Sequence, residues 1–132
     1  MFVNFRPTFI EVDSFNEDLH IWEPLIELSR TSKHKFKHSC GLVNSKGKIL
    51  SAAINSLKTH PVLGSKPPYL TLHSEGNAIY GCLKNNIKTF GLVAYVCRVD
   101  QYRRPINSKP CKSCLKLFTD FGISKVYYTV TP

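Results

Sequence analysis

Pro110-Cys111-Lys112-Ser113-Cys114-Leu115-Lys116-Leu117-Phe118-Thr119-Asp120-Phe121-Gly122-Ile123-Ser124-Lys125-Val126-Tyr127-Tyr128-Thr129-Val130 is the stretch that decides the architecture. Leu115, Leu117, Phe118 and Phe121 fall at helical spacing behind a proline, which favours a first turn because it lacks the N–H that would go unpaired there. Gly122 supplies the C-cap. The β-branched and aromatic run Val126 to Val130 then reads as a strand. The segment is a helix-to-strand unit with two cysteines at its helix start. There, unpaired backbone N–H groups and the positive end of the helix dipole stabilise thiolates.

Upstream, Phe90-Gly-Leu-Val-Ala-Tyr-Val-Cys-Arg-Val99 is rich enough in β-formers for a central strand. Before it, His73-Ser74-Glu75 opens a helix over 74–86 carrying Ala78, Ile79, Cys82 and Leu83, with asparagines and Lys88 marking its end. Residues 40–55 read as a hairpin of two short strands joined by Asn44-Ser45-Lys46-Gly47. A loop punctuated by Pro61, Gly64, Pro67 and Pro68 leads from Asn55 towards His73. Glu23-Pro24 is read as opening the first helix, with Trp22, Leu25, Ile26 and Leu28 as an apolar stripe to about Thr31. Residues 1–12 alternate loosely and read as an extended segment. The order α-β-β-α-β-α-β predicts a layered α/β domain whose helices cover a mixed sheet of four to five strands.

The chain has 132 residues and no internal repeat or low-complexity tract, so a single domain over 1–132 is expected, with 1–20 as an N-terminal extension. No apolar run reaches the roughly 18 residues of a membrane span, and the N-terminus lacks the charged-then-apolar order of a signal peptide. The expectation is a cytoplasmic protein without a membrane partner. Of five cysteines, Cys40, Cys82 and Cys97 lie in apolar surroundings and read as core residues. Cys111 and Cys114 form the Cys-x-x-Cys spacing that, in a reducing compartment, signals metal or redox chemistry. A net charge of +9 favours an anionic partner: a nucleotide, single-stranded nucleic acid or folded RNA.

His73, Cys111 and Cys114 offer three zinc ligands, and Glu75 a carboxylate that need not bind metal. A structural zinc site closes with four protein ligands, whereas a catalytic one keeps a position for water and a base beside it. Glu75 stands too close in sequence to His73 for both to share a helical face. At a first turn, however, the histidine can face a metal while the carboxylate reaches a neighbouring water. His-x-Glu followed by Pro-Cys-x-x-Cys is the signature of the zinc deaminases.

The blocks Ser65 to Ile79 and Pro110 to Tyr128 resemble the two motif blocks of the cytidine and deoxycytidylate deaminase superfamily, and the first helix and hairpin resemble its opening elements. The resemblance spans residues 20–130 and implies a three-layer α/β/α fold. It implies that His73, Cys111 and Cys114 bind Zn2+, and that Glu75 carries a proton from the attacking water to the ring nitrogen and the departing ammonia. It also matches Asn55 to a sugar-contacting asparagine, an assignment that competes with an ordinary hairpin-edge turn residue. Backbone groups around Ser74 and Pro110 would read the base edge. Asn77-Ala78 leans towards the deoxycytidylate and cytidine branches.

Several features depart from that pattern. Ser74 and Gly76 replace an alanine and a larger residue, and the link from 100 to 109 is longer than in close relatives. Tyr102, Arg103 and Arg104 in that link are read as a base-stacking and phosphate-neutralising cluster, against the alternative of a solvated charged loop. Family members continue past the strand at 126–130 with a further helix and strand. The open sheet edge this leaves is expected to be covered by residues 1–12 or by a second subunit of a homo-oligomer.

The leading expectation is hydrolytic deamination of cytosine in a free nucleotide, dCMP or CMP. Its rival is a deaminase acting on cytosine or adenine in single-stranded DNA or RNA, for which the positive charge speaks. A non-catalytic zinc-stabilised binding protein is the third reading, for which His34, His38, Cys40 and His60 supply no fourth ligand at a compelling spacing.

Overall fold

A computed structural model describes residues 6–55 and 73–132. Its elements are β1 (Thr8–Val12), α1 (Leu19–Ser29), β2 (Ser39–Val43), β3 (Ile49–Ile54), α2 (Ser74–Lys84), β4 (Val93–Cys97), α3 (Lys112–Asp120) and β5 (Lys125–Thr129). The five strands form one mixed sheet in the order β1-β5-β4-β2-β3. β5 runs parallel to both β4 and β1, whereas β2 is antiparallel to β3 and β4.

Side-chain alternation along the strands sorts the core into two faces. Cys40 and Leu42 of β2, Ala94 and Val96 of β4, and Val126 and Tyr128 of β5 pack against Ala78, Ile79 and Cys82 of α2 and Leu117 and Phe118 of α3. On the opposite face, Val43, Tyr95 and Cys97 meet Ile21, Trp22, Leu25 and Ile26 of α1. Trp22 crosses Tyr95 edge-to-face at 5.1 Å between centroids, and Tyr95 stacks on Tyr127 at 4.8 Å. The result is the three-layer α/β/α arrangement. Cys40, Cys82 and Cys97 are fully buried in these cores, and all five cysteines are free thiols.

The first helix begins earlier than Pro24 suggests. Asp18 adopts a left-handed conformation and its carbonyl accepts from Ile21 and Trp22, which starts the helix at Leu19 and leaves Pro24 inside it. Proline forfeits one helical hydrogen bond there, and burial of Ile21, Trp22, Leu25 and Ile26 on both sides of it offsets the loss. The hairpin turn closes through Asn44, whose side-chain oxygen accepts from the N–H groups of Lys46 and Lys48, with Gly47 at positive φ. α3 ends in a Schellman arrangement: Gly122 is left-handed at φ 72, and Ile123 N–H donates to the Phe118 carbonyl at 3.0 Å.

β1 lies within the segment read as an N-terminal extension. It pairs in parallel register with the free edge of β5, from Thr8 opposite Lys125 to Val12 opposite Thr129. The chain's own N-terminal strand therefore covers the edge beside β5.

Candidate active site

α2 and α3 begin on the same side of the sheet, and each is N-capped by a residue in extended conformation, His73 and Cys111 respectively. Ser, Thr, Asp or Asn normally take such positions and bond their side chains back to the helix. Here neither side chain makes a capping hydrogen bond, and the two turn towards each other. His73 Nδ1 lies 3.2 Å from Cys114 Sγ and 3.4 Å from Cys111 Sγ. The three donor atoms all lie within 4.8 Å of one another, a group able to hold a metal ion. Among the described residues, His34, His38 and Cys40 do not join it, and His60 lies outside those residues.

The thiols differ in charge. A hydrogen bond from Cys114, with help from Ser113 and His73, lowers the Cys111 pKa to about 4, so Cys111 is a thiolate at neutral pH. Cys114 holds its proton well above the usual thiol range, because that proton is donated to Cys111 and because burial and Glu75 disfavour a second negative charge.

Glu75, in the first turn of α2, is only 4% exposed, and its Oε1 accepts from Ser74 Oγ at 2.9 Å. Both residues line a cavity of about 240 Å³, together with His73 and Cys111. The rest of its wall comes from His34, Phe36, His38, Asn55, Arg98, Ser108 and Lys109. Glu75 is its one carboxylate among the described residues.

Asn55 lines the cavity, but its amide is also committed to protein. Its Oδ1 accepts from Ser32 Oγ at 2.7 Å and from the His38 N–H at 3.0 Å, and its Nδ2 donates to the Phe36 carbonyl. It thereby holds the 32–38 loop, which brings His34, Phe36 and His38 to the site. Asn77 does not line the cavity; its Nδ2 donates to the Ile54 carbonyl at 2.8 Å and ties α2 to the end of β3.

The long link divides into a base and a tip. Val99 and Pro105 form a bridge, and Asp100 closes a turn by accepting from Tyr102 N–H and Arg104 N–H. At the tip, Arg103 pairs with Glu27 of α1, while Arg104 pairs with Asp100 at 2.8 Å and covers the Tyr102 ring. Tyr102, Arg103 and Arg104 are therefore not brought to the cavity wall, because acidic partners near the tip satisfy its guanidinium groups. Pro110 is buried and does not line the cavity either.

The base contributes instead. Arg98, Ser108 and Lys109 line the wall, and buried Thr129 anchors the first two. Its hydroxyl lies 3.0 Å from Arg98 N, 2.8 Å from the Ile106 carbonyl and 2.8 Å from Ser108 Oγ. The sequence points to the link before Pro110, but to its tip and not to Arg98 and Ser108, while Lys109 stands out only as a basic residue beside the cysteines. For residues 34–38 the signal is the basic run Lys33-His34-Lys35-Phe36-Lys37.

The chain belongs to the cytidine and deoxycytidylate deaminases: residues 17–130 match that family's zinc-binding region. The fold is similar to that of the dCMP deaminase from the cyanophage S-TIM5, at 23% identity and a TM-score of 0.62 over 86% of this chain and 83% of that one. The same phage enzyme in complex with dCMP and dUMP matches with a TM-score of 0.57 over 85% and 79% of the two chains, again at 23% identity. A mutant cytidine deaminase from Mycobacterium tuberculosis matches at 16% identity, with a TM-score of 0.50 over 80% of this chain and 81% of that one. No curated protein matches the chain. Among the described residues no helix is long and apolar enough to cross a membrane.

Proposed function

We propose that this chain, acting as one domain, hydrolyses the exocyclic amine of cytosine in a free nucleotide, dCMP or CMP, giving the uracil nucleotide and ammonia. The carrying observation is a buried carboxylate, Glu75, beside a three-ligand cluster in the wall of a nucleotide-sized cavity. The family match and the similarity to an enzyme solved with dCMP and dUMP support this substrate class.

The donor set fits zinc. Tetrahedral bonds of about 2.3 Å to sulfur and about 2.0 Å to nitrogen would separate N and S ligand atoms by about 3.5 Å, and the observed separations are 3.2 and 3.4 Å. His73 through Nδ1, and Cys111 and Cys114 through sulfur, would hold the ion and leave its fourth position to the cavity. When bound, zinc supplies Lewis-acid activation of water near neutral pH.

The protein's own groups handle the protons. Glu75 takes one from the attacking water as C–O forms and delivers it to the ring nitrogen of the base, then passes the remaining hydroxyl proton to the amine, so that C–N breaks, the carbonyl forms and ammonia departs. Ser74 fixes one carboxylate oxygen and thereby the orientation of the other. Asn55 positions the 32–38 loop against the sugar side of the cavity.

A second reading, action on cytosine in single-stranded nucleic acid, draws support from the net charge of +9. One panel separates the two. Zinc-loaded protein is incubated with cytidine, CMP, dCMP, dCTP and short single strands, and ammonia or uracil formation is measured. Turnover of CMP or dCMP is expected; turnover confined to the strands, with steep salt dependence, contradicts the proposal.

A further inference from the structure

The cavity wall carries two permanent cations, Arg98 and Lys109, and among the described residues neither is paired with a carboxylate. Arg98 is built into its position. Its backbone N–H is held by the buried Thr129 hydroxyl at 3.0 Å, its Nη1 donates to the Asn107 carbonyl at 3.3 Å, and its guanidinium covers the Phe36 ring at 5.1 Å. A guanidinium stacked on an aromatic face keeps its in-plane N–H fork free for an anion. The base of the link thus fixes the group from one side and the 32–38 loop from the other.

The ligand cluster and Glu75 share this wall with Arg98 and Lys109, and His38 lies within electrostatic reach of both Glu75 and Arg98. A base seated at Glu75 would therefore place its sugar and any 5′ substituent in the cavity that these two cations also line.

We propose that Arg98, stacked on Phe36 and joined by Lys109, is the clamp for the 5′-phosphate of the substrate, and that it sets the preference for a nucleoside monophosphate over the free nucleoside. This rests on the deaminase reading above and assigns residues that the sequence pattern had not singled out.

The test compares wild type with Arg98→Met, Arg98→Lys and Lys109→Met. It uses kcat/KM for dCMP and for deoxycytidine, and Kd for dUMP and for deoxyuridine, which need no turnover. Wild type is expected to favour the phosphorylated partner of each pair. Arg98→Met should reduce that phosphate preference by roughly 10- to 100-fold, the range of a charge-assisted hydrogen bond, while Arg98→Lys restores part of it. Lys109, being exposed, can be replaced without disturbing the fold, so Lys109→Met gives a smaller reduction of the same preference even if Arg98→Met does not fold.

Equal losses on nucleoside and nucleotide, or no wild-type preference for phosphate, overturn the clamp. If no cytosine compound is deaminated but the dUMP and deoxyuridine affinities split as described, the deaminase reading fails and the clamp stands. If wild type acts on an internal cytosine of a single strand in preference to dCMP and Arg98→Met weakens that reaction, the cations hold a phosphodiester and the monophosphate assignment is overturned.

Discussion

Thr129→Val probes the anchor that joins β5 to the site. The Thr129 side chain is fully buried; its hydroxyl accepts from Arg98 N–H at 3.0 Å and lies 2.8 Å from both the Ile106 carbonyl and Ser108 Oγ. Valine has nearly the same shape but offers no oxygen, so the part-buried Arg98 N–H loses its partner. Leaving one buried donor unsatisfied costs about 1–3 kcal/mol. For a domain of this size each kcal/mol lowers Tm by roughly 3–5 °C, so a drop of about 3–15 °C is expected. Urea denaturation should show a lower midpoint with an unchanged slope, since the area exposed on unfolding is the same. Thr129→Ser keeps the hydroxyl and loses one methyl group, which costs about 1 kcal/mol. Amide exchange at Arg98, whose N–H donates to the hydroxyl, should accelerate in the valine variant and not in the serine variant. A valine variant as stable as wild type, or less damaging than serine, would refute the reasoning that this hydroxyl anchors the wall.

Three further outcomes follow from specific contacts. Gly81→Ala gains helix propensity of about 1 kcal/mol, yet a Cβ there would meet Ser51 Oγ at 2.4 Å and disturb its bond to the Ala78 carbonyl; denaturation should show no stabilisation in the single variant and recovery in Gly81→Ala with Ser51→Ala. Arg103→Ala, which removes an exposed pair with Glu27, should change stability by less than about 1 kcal/mol and leave nucleotide turnover at the wild-type rate; a large loss of turnover would return the link's tip to the site. In metal-free protein at pH 6, iodoacetamide should modify Cys111 first. Its pKa lies near 4, so the thiolate is present throughout the range above that value and alkylation slows only as pH falls towards it, whereas Cys97, pushed up to about 12 by burial, should react only after unfolding. Mass mapping of the label checks both.

The parts of the fold legible in the sequence were those fixed by local chemistry. Gly122 had to be left-handed to end α3, and Asn44 to Gly47 had to turn, so the helix-strand unit and the hairpin follow from residue type and spacing. His73, Cys111 and Cys114 were legible because few other roles require a histidine and two cysteines at helix starts. What was hidden depends on long-range pairing or on the direction of flexible side chains. The start of α1 was obscured because Pro24 is tolerated inside a helix once flanking residues are buried. β1 is legible as an extended segment able to cover a sheet edge, but its parallel register on β5 is not. Arg98 and Arg103 are equally basic in the sequence; only the bridge between Val99 and Pro105 decides that Arg98 faces the cavity while Arg103 turns to Glu27. Asn55 likewise reads as a turn residue or a ligand contact until its partners in the 32–38 loop are seen.

The central claim is that Glu75 moves protons beside a zinc ion held by His73, Cys111 and Cys114. It is tested most directly by measuring zinc content and dUMP formation from dCMP in wild type and Glu75→Gln. One zinc per chain is expected in both proteins, with turnover in wild type and a loss of about 100-fold or more in the variant. Retained turnover in a zinc-loaded Glu75→Gln protein, or the absence of bound zinc in an active wild type, would contradict it.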